Sequence, residues 1–345
     1  MDMQYDLIVF IGRLQPMHNA HLNIVKTALT QASRVLVLAG SSNKPRTIKN
    51  PFTFEERAIM LHRCLDAAER ERVVIKPLRD FLYNEAQWLK VVQQAVADES
   101  LPKDARIGLI GHSKDASSYY LRMFPQWELI EVENLSGLNA TELRDMMFCD
   151  TNRDGHWMRL ETKVPTPVAA FLQSFALSPE YASLVQEYVF TRDYKAAWAN
   201  APYPPTFMTV DAVLTCSGHV LLVKRRAQPG KGLWALPGGF VGQTETTEQA
   251  MIRELREETR VKILSSVLRG SIKACRLFDH PDRSLRGRTL THAFHIDFPS
   301  GQLPEVKGGD DAEKAKWFPI AELENLEPAM YEDHAEIISY FLGIA

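Results

Sequence analysis

The sequence predicts an α/β protein with two domains, a doubly wound parallel sheet followed by an α+β domain. Up to about residue 148, short apolar segments alternate with helical ones, which is typical of βαβ units and hence of a Rossmann-like sheet. From about residue 206, strand-like segments and glycine-rich loops dominate. The proline-rich stretch 201–205 separates the two patterns and is the best linker candidate.

The first domain is predicted to begin with the apolar strand 6–11, which ends at a glycine and is followed by a helix at 21–31. The same alternation predicts further strands at 34–39, 73–76, 106–110 and 127–132, and helices at 54–67, 85–97, 115–123 and 141–148. Residues 150–200 are predicted to be mainly helical. Ligands of such a sheet bind at the carboxyl ends of its strands.

The second domain is predicted to hold four strands, one central helix and two closing helices. The strands are expected at 208–216, 220–224, 271–277 and 290–298, the central helix at 246–259, and the closing helices near 322–323 and at 333–342. The predicted limits are therefore 1–185 for the first domain, 186–205 for a helical and proline-rich linker, and 206–345 for the second domain.

Composition narrows the class of protein. The 345 residues have a net charge of −3, so no polyanion-binding surface is indicated and no nucleic-acid partner is expected. The four cysteines are scattered without a CxxC pair, which argues against a disulfide framework or a zinc knuckle. The amino terminus does not resemble a signal peptide and no apolar run has membrane-spanning length. We therefore expect a cytoplasmic protein without a membrane partner.

The central helix of the second domain carries three carboxylates on one face. Glu254, Glu257 and Glu258 are related by i, i+3 and i, i+4 spacing, and like charges at this spacing destabilise an isolated helix. A divalent cation removes that repulsion, and clustered oxygen ligands suit Mg²⁺, with Mn²⁺ as an alternative. A solvated acidic face is the competing interpretation of the glutamates alone. The preceding Gly238-Gly239 loop, which lets the backbone approach a phosphate or metal, favours a site.

The stretch 239–261 resembles the Nudix box, GX5EX7REUXEEXGU, at each defining position except Arg260, where the box has a glycine. The resemblance implies a Nudix hydrolase with a mixed-sheet sandwich fold, in which the three glutamates hold the metal and Arg253 orients Glu257. It leaves the general base open between Glu258 and Glu313, which is expected in a loop. Substrate contacts are expected at Arg225 and Gly239, although an exposed edge charge remains an alternative for Arg225.

The first predicted strand leads into Gly12-Arg13-Leu14-Gln15-Pro16-Met17-His18-Asn19-Ala20-His21, which resembles the GRFQPxHxGH motif of nucleotidylyltransferases. A helix amino terminus beside imidazole and guanidinium groups is a ready anion site. Residues 50–57 look like the NPFTxxER segment of archaeal-type nicotinamide mononucleotide (NMN) adenylyltransferases, and residues 139–144 are similar to the closing ISxTxxR motif, with Asn139 in place of the serine.

This second resemblance implies adenylyl transfer from ATP to NMN. His18, His21, Arg13 and Arg144 would gather the triphosphate and stabilise the transition state. Asn84 and Trp88 would receive the nicotinamide by hydrogen bonding and stacking. The other expected substrate contacts are Gly12, Asn50, Arg57 and Thr141. Core packing remains the alternative for Trp88, and a surface charge for Arg144.

Together the motifs resemble bacterial bifunctional NMN adenylyltransferase/Nudix proteins, which implies NMN, ATP, NAD and ADP-ribose as small-molecule partners. One alternative is another adenylyltransferase, such as one that acts on pantetheine phosphate. A different class is a regulator whose Nudix module only senses ADP-ribose. The Nudix substrate, the number of metals, any coupling of the sites and the oligomeric state, including a possible homo-oligomer, are left open by the sequence.

Overall fold

The computed structural model describes residues 3–112, 116–132, 139–149, 151 and 153–344. The chain divides into two compact units, Met1–Tyr188 and Val189–Ala345. Among the described residues, no helix combines the length and apolar character needed to cross a bilayer.

The first unit contains a five-stranded parallel sheet, which confirms the predicted α/β class. Its strands are β1 (Tyr5–Gly12), β2 (Ala32–Ala39), β3 (Val73–Pro77), β4 (Ile107–Gly111) and β5 (Glu128–Glu131). The order β3-β2-β1-β4-β5 places the topological switch between β1 and β4. In doubly wound sheets, ligands bind outside the carboxyl ends of the strands at this point.

Helices accompany the sheet, and all except the short α3 bury apolar residues. They are α1 (Asn19–Gln31), α2 (Phe54–Arg63), α3 (Ala67–Arg72), α4 (Glu85–Ala97), α5 (Ala140–Phe148), α6 (Arg153–Glu161) and α7 (Thr166–Phe175), followed by α8 (Pro179–Ala197), in which the two units divide. In α1, for example, Ile24, Val25 and Ala28 are buried on one face, and they belong to the same apolar cluster as Ile8 and Val35 of the sheet.

Two expectations for the first unit were wrong in detail. The single helix expected at 54–67 is two helices, because Asp66 starts α3 with a capping box in which it accepts from the backbone of Glu69 at 2.9 Å. The helix expected at 115–123 is a 3₁₀ helix over Ala116–Arg122, and residues 113–115 lie outside the described residues.

The second unit has a seven-stranded mixed sheet. Its strands are β6 (Phe207–Cys216), β7 (His219–Arg225), β8 (Trp234–Ala235), β9 (Gly238–Phe240), β10 (Ile272–Phe278), β11 (Thr289–Phe298) and β12 (Ala312–Pro319). The path is β10-β11-β6-β7-β12, with β8 on β7 and β9 on β6. Strands β6 and β11 run parallel, whereas the other pairs are antiparallel.

The helices of this unit are α9 (Thr247–Thr259), α10 (Ser265–Gly270), α11 (Leu323–Leu326) and α12 (His334–Leu342), with 3₁₀ turns at Ile320–Glu322 and Glu327–Ala329. Helix α9 begins at the capping residue Thr246, whose side chain accepts from the backbone of Gln249, and it ends at Arg260. Met251, Ile252 and Leu255 of α9 are buried. This burial fixes the rotation of α9 and therefore where its carboxylates point.

The expectation that Glu313 lies in a loop was wrong. Glu313 is an exposed residue of β12, at the register shift between Ala312 and Lys314, where β12 pairs with β7. The lysines and the interrupted apolar pattern of this strand concealed it in the sequence, because edge strands carry charged side chains.

Candidate active sites

The loop after β1 is fastened to the segment before α2 by paired hydrogen bonds. The side chain of Gln15 donates to the carbonyl oxygen of Phe52 at 2.8 Å and accepts from the backbone N–H of Phe52 at 2.9 Å. Leu14 has a φ of 53°, in the left-handed region, so the loop turns sharply here. The two motifs of the sequence, 12–21 and 50–57, therefore form one structure at the carboxyl end of β1.

Two buried arginines, Arg57 and Arg144, hold this loop, which itself contains Arg13. Arg57 is buried and donates to the carbonyl oxygens of Arg13 at 2.7 Å and Gly40 at 2.6 Å. Arg144 donates to the carbonyl oxygen of Gln15 at 2.8 Å. Burial, with a further contribution from the Arg13 charge, lowers the pKa of each of these two buried guanidinium groups to about 10. Burial makes the charged form of these guanidinium groups less favourable. Binding of an anion stabilises that form, so such a region favours an anion.

His18 and His21 are brought together at the start of α1. Their rings stack with centroids 3.7 Å apart, and the backbone N–H of His18 donates to Nδ1 of His21 at 3.4 Å. His18 is the capping residue of α1 and is only 2% exposed. The imidazoles therefore lie at the amino terminus of a 13-residue helix, where the partial positive charge of the helix favours an anion.

The remaining residues expected to bind substrate in the first unit have diverse surroundings. Thr141 accepts from Arg144 at 3.0 Å, so it supports that guanidinium. Asn84 caps α4 by accepting from the backbone of Gln87 at 3.1 Å. Trp88 is half-buried, with its ring edge-on to a tyrosine and tilted against a phenylalanine of the core.

Gly12 and Asn50, two further expected substrate contacts, lie in the segments 12–21 and 50–57. Gly12 ends β1, and its carbonyl oxygen accepts from the backbone of Gly40 at 3.1 Å. The side-chain oxygen of Asn50 is buried without a hydrogen-bond partner among the described residues, so it is available to a ligand donor. Arg57, in contrast, is 1% exposed and holds backbone, so its contacts are those of a residue that shapes the loop.

In the second unit, the glycine loop packs directly against the acidic face of α9. The backbone N–H of Gly238 donates to Oε2 of Glu258 at 2.9 Å. A Cβ atom on Gly239 would come within 2.5 Å of the carboxylate of Glu254, and one on Gly238 would lie 2.1 Å from the carbonyl oxygen of Val210. Only glycine fits at position 238, where the close atom belongs to the backbone, whereas a side chain at position 239 would displace the Glu254 carboxylate.

Arg253 organises the carboxylates around it. It donates to Glu257 at 2.9 Å and to Glu254 at 2.7 Å, and it forms a two-pronged pair with Glu245 at 2.6 and 3.0 Å. This pair lowers the pKa of Glu245 to about 2. Glu245 is thus the partner of the arginine, while the contact with Glu257 has the orienting geometry that the sequence predicted.

The carboxylates that face the loop are unfavourable as isolated charges. Burial raises the pKa of Glu258 to about 8, with smaller contributions from the charges of Glu254 and Asp211. Burial also raises the pKa of Glu254, against the opposing effect of Arg253. Glu257 is half-exposed. Ionisation of these buried carboxyl groups is unfavourable in the absence of a cation. A divalent cation would stabilise their charged form in place of water, and carboxylate oxygens are ligands that such a cation prefers.

A buried polar network that the sequence did not reveal contacts the glycine loop through Leu236. Nδ1 of His334 accepts from the backbone of Leu236 at 2.8 Å, and the carboxylate of Asp211 accepts from Thr291 at 2.6 Å. Arg283 binds Asp333 through two hydrogen bonds of 2.9 Å. Apart from the neighbours Asp333 and His334, these residues are far apart in the sequence and occur in no spacing pattern, so only the folded chain brings them together.

Arg225 ends β7, and its guanidinium carbon lies 4.1 Å from the centroid of the Tyr331 ring. Its charge is close enough to Glu258 to oppose the rise of that carboxyl's pKa. Arg225 therefore belongs to the surroundings of the glutamates, whereas Glu313 is an exposed side chain of β12.

Comparison with known families gives two matches, one in each unit. Residues 9–108 match the model described as Cytidylyltransferase-like, and residues 205–341 match that of the NUDIX domain. The first match contains Arg13, His18, His21 and Arg57 but ends before Thr141 and Arg144, and the second contains the glycine loop and the glutamates of α9.

Two individual relatives each match part of the chain. The nicotinamide/nicotinic acid mononucleotide adenylyltransferase of Acinetobacter baylyi is 37% identical over 186 residues, which are 54% of this chain and 94% of that protein. The ADP-ribose pyrophosphatase of Methanocaldococcus jannaschii is 38% identical over 139 residues, or 39% of this chain and 72% of that protein.

One similar solved structure covers both units. It is a bifunctional NMN adenylyltransferase/ADP ribose pyrophosphatase from Francisella tularensis, complexed with AMP and a manganese ion. The TM-score is 0.89 at 37% identity, and the match covers 98% of this chain and 99% of that one.

Proposed function

Because this chain belongs to the family of bifunctional NMN adenylyltransferase/ADP-ribose pyrophosphatase proteins, we propose that it catalyses both reactions. The first joins NMN to the adenylyl group of ATP and releases pyrophosphate, which gives NAD. The second hydrolyses ADP-ribose to AMP and ribose 5-phosphate. The observation that carries the proposal is that one chain holds two complete sets of phosphate-handling residues.

In the first reaction, the phosphate of NMN attacks the α-phosphorus of ATP and displaces pyrophosphate. The nucleophile is already an anion, so the residues need only align the two phosphates and neutralise charge. His18 and His21 lie where a helix amino terminus adds to that neutralisation, and Arg13 and Arg144 supply guanidinium groups. We assign these four residues to the triphosphate, and Gly12, Asn50 and Thr141 to the walls of the same site.

Arg57 acts in this proposal by holding the loop at the end of β1, through the carbonyl oxygens of Arg13 and Gly40. Asn84 and Trp88 remain the proposed nicotinamide contacts. The half-buried indole packs against one tyrosine and one phenylalanine, and these contacts fix the orientation of its ring for a planar partner.

In the second reaction, water attacks a phosphorus of the diphosphate. Glu254, Glu257 and Glu258 would hold a divalent cation, for which we propose Mg²⁺ with Mn²⁺ as a substitute. When bound, such a cation polarises the phosphoryl oxygens and lowers the pKa of a bound water. The chain's own part is to fix the carboxylates: Arg253 holds Glu257, the Gly238 N–H holds Glu258, and Gly239 lets the backbone lie against Glu254.

The general base stays a proposal between Glu258 and Glu313. Glu258 lies at the site, whereas Glu313 would have to reach it from β12. The proposed partners are the small molecules NMN, ATP, NAD and ADP-ribose. A cytoplasmic location, the lack of a nucleic-acid partner and a possible homo-oligomer remain predictions from the sequence.

A chromatographic assay of the whole protein tests the proposal. With Mg²⁺, it should convert NMN and ATP to NAD, and in a separate incubation release AMP from ADP-ribose. Pantetheine phosphate replacing NMN tests the other adenylyltransferase. Binding of ADP-ribose without any metal-dependent release of AMP would identify a sensor and refute the hydrolase.

A further inference from the structure

Tyr331 stands between two arginines beside the acidic face of α9. The Arg225 guanidinium lies over the Tyr331 ring, and its Nε donates to the carbonyl oxygen of Pro229 at 2.9 Å. Arg286, from the loop before β11, places its guanidinium carbon 5.0 Å from the centroid of the Phe240 ring. Both positive charges lie close enough to Tyr331 to act on its hydroxyl. The two guanidinium groups are therefore held by ring faces and one carbonyl oxygen.

Two polar atoms of this cluster are buried without a partner. Tyr331 is 3% exposed, and although Glu332 lies near its hydroxyl, that oxygen forms no hydrogen bond with a described residue. The Nε atom of Arg286 is likewise buried and unpaired among the described residues. An unmade hydrogen bond at a buried polar atom costs about 1–3 kcal/mol, so two such atoms on groups that interact electrostatically indicate a missing polar ligand.

The cluster borders the glutamates on both sides of the glycine loop. Arg225 acts electrostatically on Glu258, which the Gly238 N–H holds. Phe240, which carries Arg286 on its ring, follows Gly239, and Gly239 lies against the carboxylate of Glu254. A ligand that spans a cation on the glutamates and the two arginines must carry negative charge along a short linear group. A diphosphate has this form.

We propose that Arg225, Arg286 and the Tyr331 hydroxyl form a phosphate-binding site that holds the diphosphate of a nucleoside diphosphate sugar beside the α9 glutamates. The aromatic rings hold both guanidinium groups in place, and the nearby carboxylates are Glu332, which acts on Arg286, and Glu258, on which Arg225 acts. This assignment rests on the proposed hydrolase function for the identity of the substrate. It adds Arg286 and Tyr331 to the residues that select it.

Steady-state hydrolysis of ADP-ribose by the full chain with Mg²⁺ tests the site. Because Arg286 would bind the substrate away from the attacked water, Arg286→Gln should raise KM about 10-fold to 100-fold, with a smaller change in kcat. That range corresponds to loss of a charge-assisted hydrogen bond. Arg286→Lys should recover part of the affinity, since it restores the charge without the planar fork. Tyr331→Phe keeps the ring under Arg225 and should raise KM less than Arg286→Gln does.

Matched controls remove the same groups elsewhere in the unit. Arg269→Gln removes an exposed arginine paired with Glu248, and Tyr340→Phe removes an exposed hydroxyl. Both should leave KM within about twofold of wild type. If Arg286→Gln and Tyr331→Phe also keep KM within about twofold of wild type, the proposed site is wrong. It is equally wrong if KM rises as much in the controls as in these two variants.

Equilibrium binding of ADP-ribose without added metal separates this site from the proposed reaction. A wild type that binds ADP-ribose without metal and still releases no AMP after Mg²⁺ is added would refute the hydrolase function. Binding weakened by Arg286→Gln would still support the phosphate site in that case. Binding unchanged by Arg286→Gln would refute the site even in an active hydrolase.

Discussion

The backbone N–H of Gly238 donates a 2.9 Å hydrogen bond to Oε2 of Glu258, twenty residues farther along the chain. This bond joins the glycine loop to the helix that carries the acidic face. It offers the Glu258 carboxylate one donor, which is too little to offset burial, and the pKa of Glu258 is raised to about 8. Metal-free protein therefore holds a carboxyl group that resists ionisation.

Without metal, the free energy of unfolding should fall between pH 5 and pH 8. Glu258 ionises near its ordinary pKa in the unfolded chain but only near pH 8 in the folded one, so the folded state binds more protons across this range and loses stability as pH rises. The loss should be on the order of a few kcal/mol at most. Calorimetric unfolding in a chelator at several pH values measures it.

Glu258→Gln should flatten this pH dependence, because the amide does not titrate. Glu257→Gln is the matched control and should keep the slope, since Glu257 is half-exposed. A slope that survives in Glu258→Gln would assign the dependence to another group.

His18→Ala should lower the rate of NAD synthesis about 10²-fold to 10³-fold, as for loss of one preorganised donor worth about 2.7–4 kcal/mol of barrier. The reason is its position at the amino terminus of α1, stacked on His21 at 3.7 Å. NAD formation at saturating NMN and ATP is the measurement. His62→Ala, on the exposed surface of α2, is the control. Near-normal synthesis by a folded His18→Ala protein would remove His18 from the catalytic set.

The glutamate face was predictable from the sequence because it is local. The 3.6-residue period fixes which of Glu254, Glu257 and Glu258 share a side, and Arg253 lies within one turn of them. The parallel sheet was predictable for the same reason, since each βαβ unit carries its own pattern.

Contacts between residues that are far apart in the sequence could not be predicted from sequence patterns. Arg144 binds the carbonyl oxygen of Gln15 across 129 residues, and Asp211 meets Thr291 across 80. Such contacts depend on the whole topology. Edge strand β12 was not predicted because its charged residues interrupt the alternating pattern typical of a strand. For the same reason Glu313 was wrongly expected in a loop.

Trp88→Ala should raise KM for NMN more than KM for ATP, because the indole would stack on the nicotinamide ring. Trp127→Ala is a close control. Both tryptophans pack against Phe124, Trp88 at 6.0 Å and Trp127 at 4.6 Å between ring centroids. Each variant should lose stability, but only Trp88→Ala should lose NMN selectively. Equal effects on NMN and ATP in Trp88→Ala would assign Trp88 to core packing alone.

Arg260→Gly should stabilise the second unit by about 0.5–1 kcal/mol. Arg260 ends α9 with a φ of 53°, a left-handed conformation that costs a residue with a side chain roughly 1 kcal/mol and glycine little. The measurement is the unfolding temperature of that unit, with ADP-ribose hydrolysis close to wild type. Arg256→Gly, inside the helix, should instead destabilise by a similar amount. A lower unfolding temperature in Arg260→Gly would mean that the arginine side chain stabilises the neighbouring loop by more than the backbone conformation costs.

The two activities should be separable at Glu257. Glu257→Gln keeps the volume of the side chain, while it removes one anionic ligand and weakens the hydrogen bond from Arg253 at 2.9 Å. Hydrolysis of ADP-ribose should therefore fall steeply through weaker cation binding, and added Mg²⁺ or Mn²⁺ should recover part of it. NAD synthesis should stay close to wild type, because the residues of the first site lie in Met1–Tyr188 and Glu257 lies in Val189–Ala345. Both rates are measured on one preparation, with Glu248→Gln as the control, since that exposed glutamate of α9 pairs with Arg269. Loss of both activities in a folded Glu257→Gln protein would show that the sites share structure or metal, and full retention of hydrolysis would show that the acidic face of α9 is not the metal site.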